Sequence, residues 1–187
     1  MKSQSAKTTT TPAQARPKLA WFNAAREALD VLILVGAIYT LVNLATVRFR
    51  VQGASMQPGF QDRQFLIVSR LSYLLGQPER GDIIVFHNPS TLAEDYIKRI
   101  IALPGDTVEI RDSLVYVNGA PIDEPYLNEV CDCSDQRREL GPNEYWVMGD
   151  NRNHSRDSRE FGPILREHIV GEVLIRYWPP AAWGIIR

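Results

Sequence analysis

Hydrophobic and polar positions fall into three regimes along the chain. Residues 1–18 are Thr, Ala, Gln, Pro and Lys with hardly any large apolar side chain, so burial cannot offset ordering entropy there. The pattern predicts a disordered tail over residues 1–20. Charge then vanishes between Asp30 and Arg48, and with Ala28 and Leu29 the apolar run nears the ~20 residues a helix needs to cross a bilayer. Gly36, Thr40, Asn43 and Thr46 make it less apolar than most spans, which leaves a buried core helix as the competing assignment. The unbroken lack of charge favours one transmembrane helix over residues 28–47. From Arg48 onward the runs shorten and become β-branched or aromatic, bounded by Gly, Pro, Asn or Asp: 65–68, 82–86, 96–101, 107–110, 114–117, 145–148 and 171–178. Asn118-Gly119 is a hairpin turn signal. No run keeps a 3.6-residue period long enough for a major helix, so residues 48–187 are expected to form one mainly β domain.

Composition and charge narrow the function. With 44% hydrophobic residues the chain can bury a core, and 21 basic against 22 acidic side chains leave a net charge of −1. No basic field is available to hold a polyanion, so nucleic acid is excluded as a partner. Charge also orients the anchor. Lys2, Lys7, Arg16, Lys18 and Arg26 precede the span and only Arg48 and Arg50 closely follow it, which puts the N-terminus in the cytoplasm and the β domain outside. The residues after the run form no small-x-small cleavage site, so an uncleaved single-pass anchor fits better than a signal peptide. Cys131 and Cys133 are too few for a disulfide scaffold or an unaided zinc site, and a bridge across one residue would be strained. They read as a surface-loop pair without a role.

Chemistry enters at Gly53-Ala54-Ser55-Met56-Gln57-Pro58-Gly59, a small-residue turn presenting one hydroxyl beyond the anchor. Residues 48–54 reach roughly 25 Å fully extended, so Ser55 is expected near the membrane surface. A lone serine in a loop is no site without a base. His154, beside Ser155 with Asp150 and Asp157 nearby, is one candidate, but the G-x-S-x-G elbow is incomplete and no S-x-x-K occurs. Lys98 is the other. Alternation over residues 95–101 puts Tyr96, Lys98 and Ile100 on one face and Ile97, Arg99 and Ile101 on the other, so a cation lies on whichever face is buried. If that cation is Lys98, desolvation favours its neutral amine, which can accept a serine proton. The polar run Gly149 to Arg159 nearly balances three arginines against Asp150 and Asp157, which suits a partly buried shell of ion pairs around such an amine.

Four stretches together resemble the type I signal peptidase family of membrane-bound serine proteases. Ser55-Met56-Gln57-Pro58 is similar to its nucleophile box, Arg80 to Phe86 to its R-G-D box, Tyr96-Ile97-Lys98-Arg99 with Leu103 to Asp106 to its lysine box, and Gly149 to Arg159 to its G-D-N-R box. The resemblance implies a signal-peptidase-like β-fold with a smaller hairpin extension, placed roughly at residues 104–143. It implies Ser55 as nucleophile and Lys98 as general base, with Ser155 bonding the amine and Asp157, Arg159 and Arg99 as the ion-pair shell. The Ser55 N–H would meet the oxyanion. The family's helping hydroxyl two residues earlier is replaced by Gly53, and Gly59 and His154 also depart from the usual residues. Gly53, Met56, Tyr96 and Ile97 would bound the substrate site. The implied substrates are exported preproteins with small residues one and three positions before the cut, bound extended beside the Lys98 strand; no cofactor or metal is implied. The host would be the cytoplasmic or inner membrane, with the thylakoid membrane as the other setting the topology allows. A catalytically idle, membrane-anchored β-domain that binds extended peptides is the alternative. Trp178, Trp183, Ile185 and Ile186 fit either the membrane interface or core packing.

Overall fold

A computed structural model of the chain describes residues 17–91 and 93–186. Helix α1 runs Pro17–Ala45, so residues 17–20 of the predicted tail are helical and its first sixteen lie outside the described residues. Proline suits the first helical position because its missing N–H would have no partner there, and no glycine or further proline follows until Gly36. Residues 21–44 are all exposed, and Trp21–Ala45 is long and apolar enough to cross a membrane. The helix stops two residues short of the predicted end. Thr46 and Val47 instead open β1 (Thr46–Arg50), which pairs antiparallel with β2 (Phe65–Ser69) from Thr46 opposite Ser69 to Arg50 opposite Phe65.

Beyond the anchor the chain is mainly β, as expected from its short alternating runs. β3 (Ile83–His87), β4 (Asp95–Ala102), β9 (Glu144–Met148), β10 (Ile164–Leu165) and β11 (Ile169–Trp178) join β1 and β2 in a sheet of order β1-β2-β11-β3-β4-β9-β10, and β12 (Gly184–Ile185) pairs with β11. A second, four-stranded sheet comprises β5 (Thr107–Arg111), β6 (Leu114–Val117), β7 (Ala120–Pro121) and β8 (Gln136–Glu139) in the order β7-β6-β5-β8. Asn118 and Gly119 both take positive φ, at 54° and 80°, as the tight turn after β6 requires. The helical remainder includes two single turns, α2 (Ser72–Leu75) and α3 (Ser158–Phe161).

Among the described residues, three apolar clusters form the core. One gathers Val51, Met56, Phe60, Leu66, Ile97 and Val173; a second ties β5 and β6 to Ile101, Trp146 and Met148; a third packs Ile84, Phe86, Ile100 and Val147 with Ile164. β4 contributes to all three, so its backbone is held from several sides. Its pairing is uneven. β3 covers Asp95 to Arg99, but β9 begins only at Arg99, so residues 95–98 keep one edge unpaired among the described residues.

β11 crosses between β2 and β3 at Gly171, where a Cβ would run into the Ser69 carbonyl and Val68. Gly171→Ala is therefore expected to destabilise the domain by about 1–3 kcal/mol, the usual cost of overpacking, which thermal unfolding of the detergent-solubilised chain would measure.

Candidate active site

Ser55 sits on a turn anchored at both ends. Val51 N–H donates to Gln64 O and Arg63 N–H to Val51 O, each at 2.9 Å, and Phe60 N–H closes the turn on Met56 O at 2.8 Å. Met56 and Phe60 are sealed in the core, so the turn cannot swing without withdrawing large apolar side chains from it. Gly53 takes φ +82°, a region that favours glycine, and its N–H donates to Asp62 Oδ1 at 3.0 Å.

Residues 149–151 press on the same turn. Asn151 N–H donates to Ser55 O at 3.0 Å, and the Asn151 amide donates to Ala54 O at 3.2 Å. A Cβ on Gly149 would collide with Ser55 O and Ser155 Oγ, so this approach needs glycine.

Of the two cations on β4, the structure buries Lys98, whose exposure is 4%. Lys98 Nζ donates to Ser55 Oγ at 2.8 Å and to Ile97 O at 2.9 Å, with the Tyr96 ring centroid 5.4 Å away. Burial pushes the amine down from 10.5 to about 8, against the opposing pull of Asp157 and Asp150 and with help from Arg159. An amine near that value, touching a hydroxyl, can take its proton at mildly alkaline pH.

The polar run supplies the surrounding ion pairs. Asp150 receives Arg99 in a fork, from Nε at 2.9 Å and Nη2 at 2.8 Å, while Arg99 Nη1 donates to Gly81 O at 2.9 Å. Asp157, fully buried, accepts from Gly149 N–H at 2.9 Å and from Arg159 Nε and Nη2, each at 2.8 Å. Arg152 Nε donates to Gly149 O at 3.1 Å, and its guanidinium pairs with Glu124.

Ser55, Lys98, Tyr96 and Ile97 line a cleft of about 630 Å³, with Arg48 and Phe49 on its wall. Several expectations meet a different arrangement. Gly53 and Met56 do not line that cleft; Met56 packs within the core, in the same cluster as Ile97. Ser155 does not bond Lys98: its Oγ is buried without a hydrogen-bond partner among the described residues, facing Gly149. His154 is exposed and its ring meets Asn151 Oδ1 at 3.2 Å rather than Ser55. Cys131 and Cys133 are not an idle surface pair. They are bonded to each other, because a bent backbone brings their Cα atoms to 5.2 Å, within the span that bridges take. Cys131 is buried, and Arg159 Nη1 points at both sulfurs, 3.2 and 2.9 Å away. Glu124 and Tyr126, which also reach this cluster, carry no motif that the sequence reading could have found. Among the described residues, no group of three or more His, Cys, Asp and Glu is placed to hold a metal ion.

Comparison with known proteins gives a consistent set. Residues 25–178 match the family described as signal peptidase, peptidase S26. The chain is 36% identical over 180 residues to the probable signal peptidase I-2 of Synechocystis sp., covering 91% of this chain and 79% of that protein. It is 39% identical over 159 residues to signal peptidase I of Leptolyngbya laminosa (81% and 76% covered), and 33% identical over 179 residues to signal peptidase IB of Staphylococcus aureus (86% and 90% covered).

The close approach at Gly149 is open to test. Gly149→Ala is expected to cost about 1–3 kcal/mol of stability and to lengthen the 2.8 Å separation of Ser55 Oγ and Lys98 Nζ. Thermal unfolding and a crystal structure of the variant would read the two effects.

Proposed function

The chain belongs to the signal peptidase family, peptidase S26, and from that premise we propose that it cleaves signal peptides from exported preproteins with Ser55 as nucleophile and Lys98 as general base. The observation that carries this reading is the 2.8 Å contact between Lys98 Nζ and Ser55 Oγ, made by a buried amine whose pKa is lowered to about 8. Histidine offers no rival base, since none of the three touches Ser55.

The chemistry follows from that contact. Neutral Lys98 takes the Ser55 proton as Oγ attacks the scissile carbonyl carbon, and the carbonyl oxygen becomes an oxyanion. The Ser55 N–H, which makes no hydrogen bond among the described residues, is free to donate to it. Gly53 cannot help with a side chain, and its own N–H is engaged by Asp62. Collapse of the intermediate breaks the C–N bond, and the Lys98 ammonium returns its proton to the departing amine of the mature chain. An ester on Ser55 remains. Water then gives a proton to Lys98 and attacks the ester, releasing the signal peptide carboxylate and restoring the hydroxyl.

Substrate is proposed to lie extended against the unpaired edge of residues 95–98, where main-chain groups are available for strand addition. Tyr96 and Ile97, backed by Met56, would reject large side chains one and three residues before the cut, and the turn at Gly53 would border the bound chain. The shell of Asp157, Arg159 and Arg99 keeps the pair in register. Ser155 Oγ, buried and without a partner among the described residues, is proposed to turn toward the amine when substrate excludes water. Residues 104–143 form the extension, and 48–187 the catalytic domain as a whole. The excess of basic residues before the span argues for a cytoplasmic N-terminus and an extracytoplasmic cleft, in the cytoplasmic or inner membrane or a thylakoid membrane.

Ser55→Ala is expected to abolish processing of a preprotein by the detergent-solubilised chain; undiminished cleavage by the variant would overturn the Ser55 mechanism, and no cleavage by the parent chain would leave only a peptide-binding role. Lys98→Arg is expected to be equally inactive because a guanidinium stays protonated, whereas retained activity would require another base. Acid quenching during turnover of a slow substrate is expected to trap an ester on Ser55, which peptide mapping by mass spectrometry would locate.

A further inference from the structure

The segment joining β7 to β8, remote in sequence from both members of the pair, reaches the groups that hold them. Arg99 follows Lys98 on β4, and its guanidinium is forked onto Asp150 and bonded to Gly81 O. Its flat face is covered by the Tyr126 ring, whose centroid lies 3.9 Å from Cζ. The Tyr126 hydroxyl donates to Glu124 Oε1 at 2.7 Å, and the same carboxylate pairs with Arg152, which donates to Gly149 O at 3.1 Å. Burial first, and then the Glu124 charge, push the phenol well above its ordinary value, so it remains a neutral donor.

We propose that Tyr126 is a positioning residue for the Ser55–Lys98 pair, holding Arg99 against Asp150 by stacking on its guanidinium. The inference rests on the Ser/Lys reading above and adds to it a residue that touches neither member. Its physical basis is the place of the Arg99–Asp150 fork. One end of the fork is on the strand that carries Lys98. The other is on the loop whose neighbouring residue, Asn151, holds the Ser55 carbonyl. The fork therefore sets the spacing across the pair, and a misplacement of about 1 Å can cost on the order of 100-fold in rate.

The fork also bears on the charge of Lys98. Lys98 faces Asp150, Asp157 and Arg159 from the polar run, with Arg99 beside it on β4 and the Tyr96 ring 5.4 Å away; Arg156 shares the cleft wall. Asp150 favours the charged amine, and burial outweighs that pull while the site stays closed to water. Releasing Arg99 loosens the fork and admits water, and relief of desolvation raises the pKa of Lys98.

The test measures kcat, KM and the pH profile of kcat/KM for the full chain in detergent micelles, on a quenched peptide copied from a signal peptide cleavage site. Tyr126→Leu removes the ring face and is expected to lower kcat about tenfold or more, from the strength of a desolvated cation–π contact. KM should stay within about twofold, and the alkaline rise of the profile should move to higher pH, since each unit of midpoint is a tenfold change in neutral amine. Tyr126→Phe keeps the ring and loses only the bond to Glu124, so it should remain within about threefold of the parent with an unmoved midpoint. If Tyr126→Leu does not fold, Tyr126→Met, close to the ring in reach and more adaptable, carries the same comparison. A leucine or methionine variant with the parent's kcat, a change confined to KM, an unmoved midpoint, or a phenylalanine variant as impaired as leucine would each overturn the proposal. Ser55→Ala is run alongside: cleavage that survives it defeats the Ser/Lys reading itself, while Ser55-dependent cleavage indifferent to Tyr126 defeats only this inference.

Discussion

A lysine side chain kept out of water, in contact with one hydroxyl, is the constraint on which the rest of this structure depends. Moving Lys98 from 10.5 to about 8 amounts to roughly 3 kcal/mol of bias against its charged form. Two carboxylates nearby work against that bias, and neither stands free beside the ammonium. Each is instead committed to its own arginine, Asp150 to Arg99 and Asp157 to Arg159. Desolvation is the largest influence on the amine and outweighs both carboxylates, with Arg159 acting in the same direction. The balanced charge of residues 149–159 is a source of cohesion around the amine and, on the proposed mechanism, a condition of its chemistry.

Holding the hydroxyl against that amine is a matter of backbone. Lys98 arrives on β4, whose neighbours contribute to all three apolar clusters, and Ser55 arrives on a turn pinned by Met56 and Phe60 in the core. The two are joined through the loop at Gly149 to Asn151, which approaches Ser55 closely enough that glycine is needed at its first position. Because the polar shell is fastened to main-chain atoms on both sides, a change in it is felt as a displacement of Ser55 against Lys98. The open edge of residues 95–98 belongs to the same design, since pairing with β9 there would cover the strand on which an extended substrate is proposed to lie.

The strands that could be read in advance were those whose hydrophobic alternation is bounded by turn residues, such as β2, β3 and β4. β8 could not be read, because Gln136-Arg137-Arg138-Glu139 has no apolar face and exists only through its pairing with β5. β1 was hidden for a different reason: Thr46 and Val47 continue the apolar run of the helix, and only pairing with β2 reveals them as strand. At the candidate site, the meeting of Ser55 and Lys98, 2.8 Å apart, could be anticipated because their local contexts are specific. The partner of each arginine could not, since alternation and charge balance say nothing about which carboxylate a guanidinium will choose. Ser155 was expected at the amine and instead faces Gly149, while Cys131 and Cys133, given no role, lie against Arg159. Contacts made across long sequence separations, such as Tyr126 on Arg99, leave no trace in a local pattern.

Direct titration of the Lys98 amine tests the account at its centre. Lysine labelled at Cε and Nζ, assigned by comparison with Lys98→Arg and followed by NMR in detergent, is expected to give a midpoint near 8. A midpoint at or above the ordinary lysine value of 10.5 would mean that the amine is charged at working pH and that Ser55 has no base in this site.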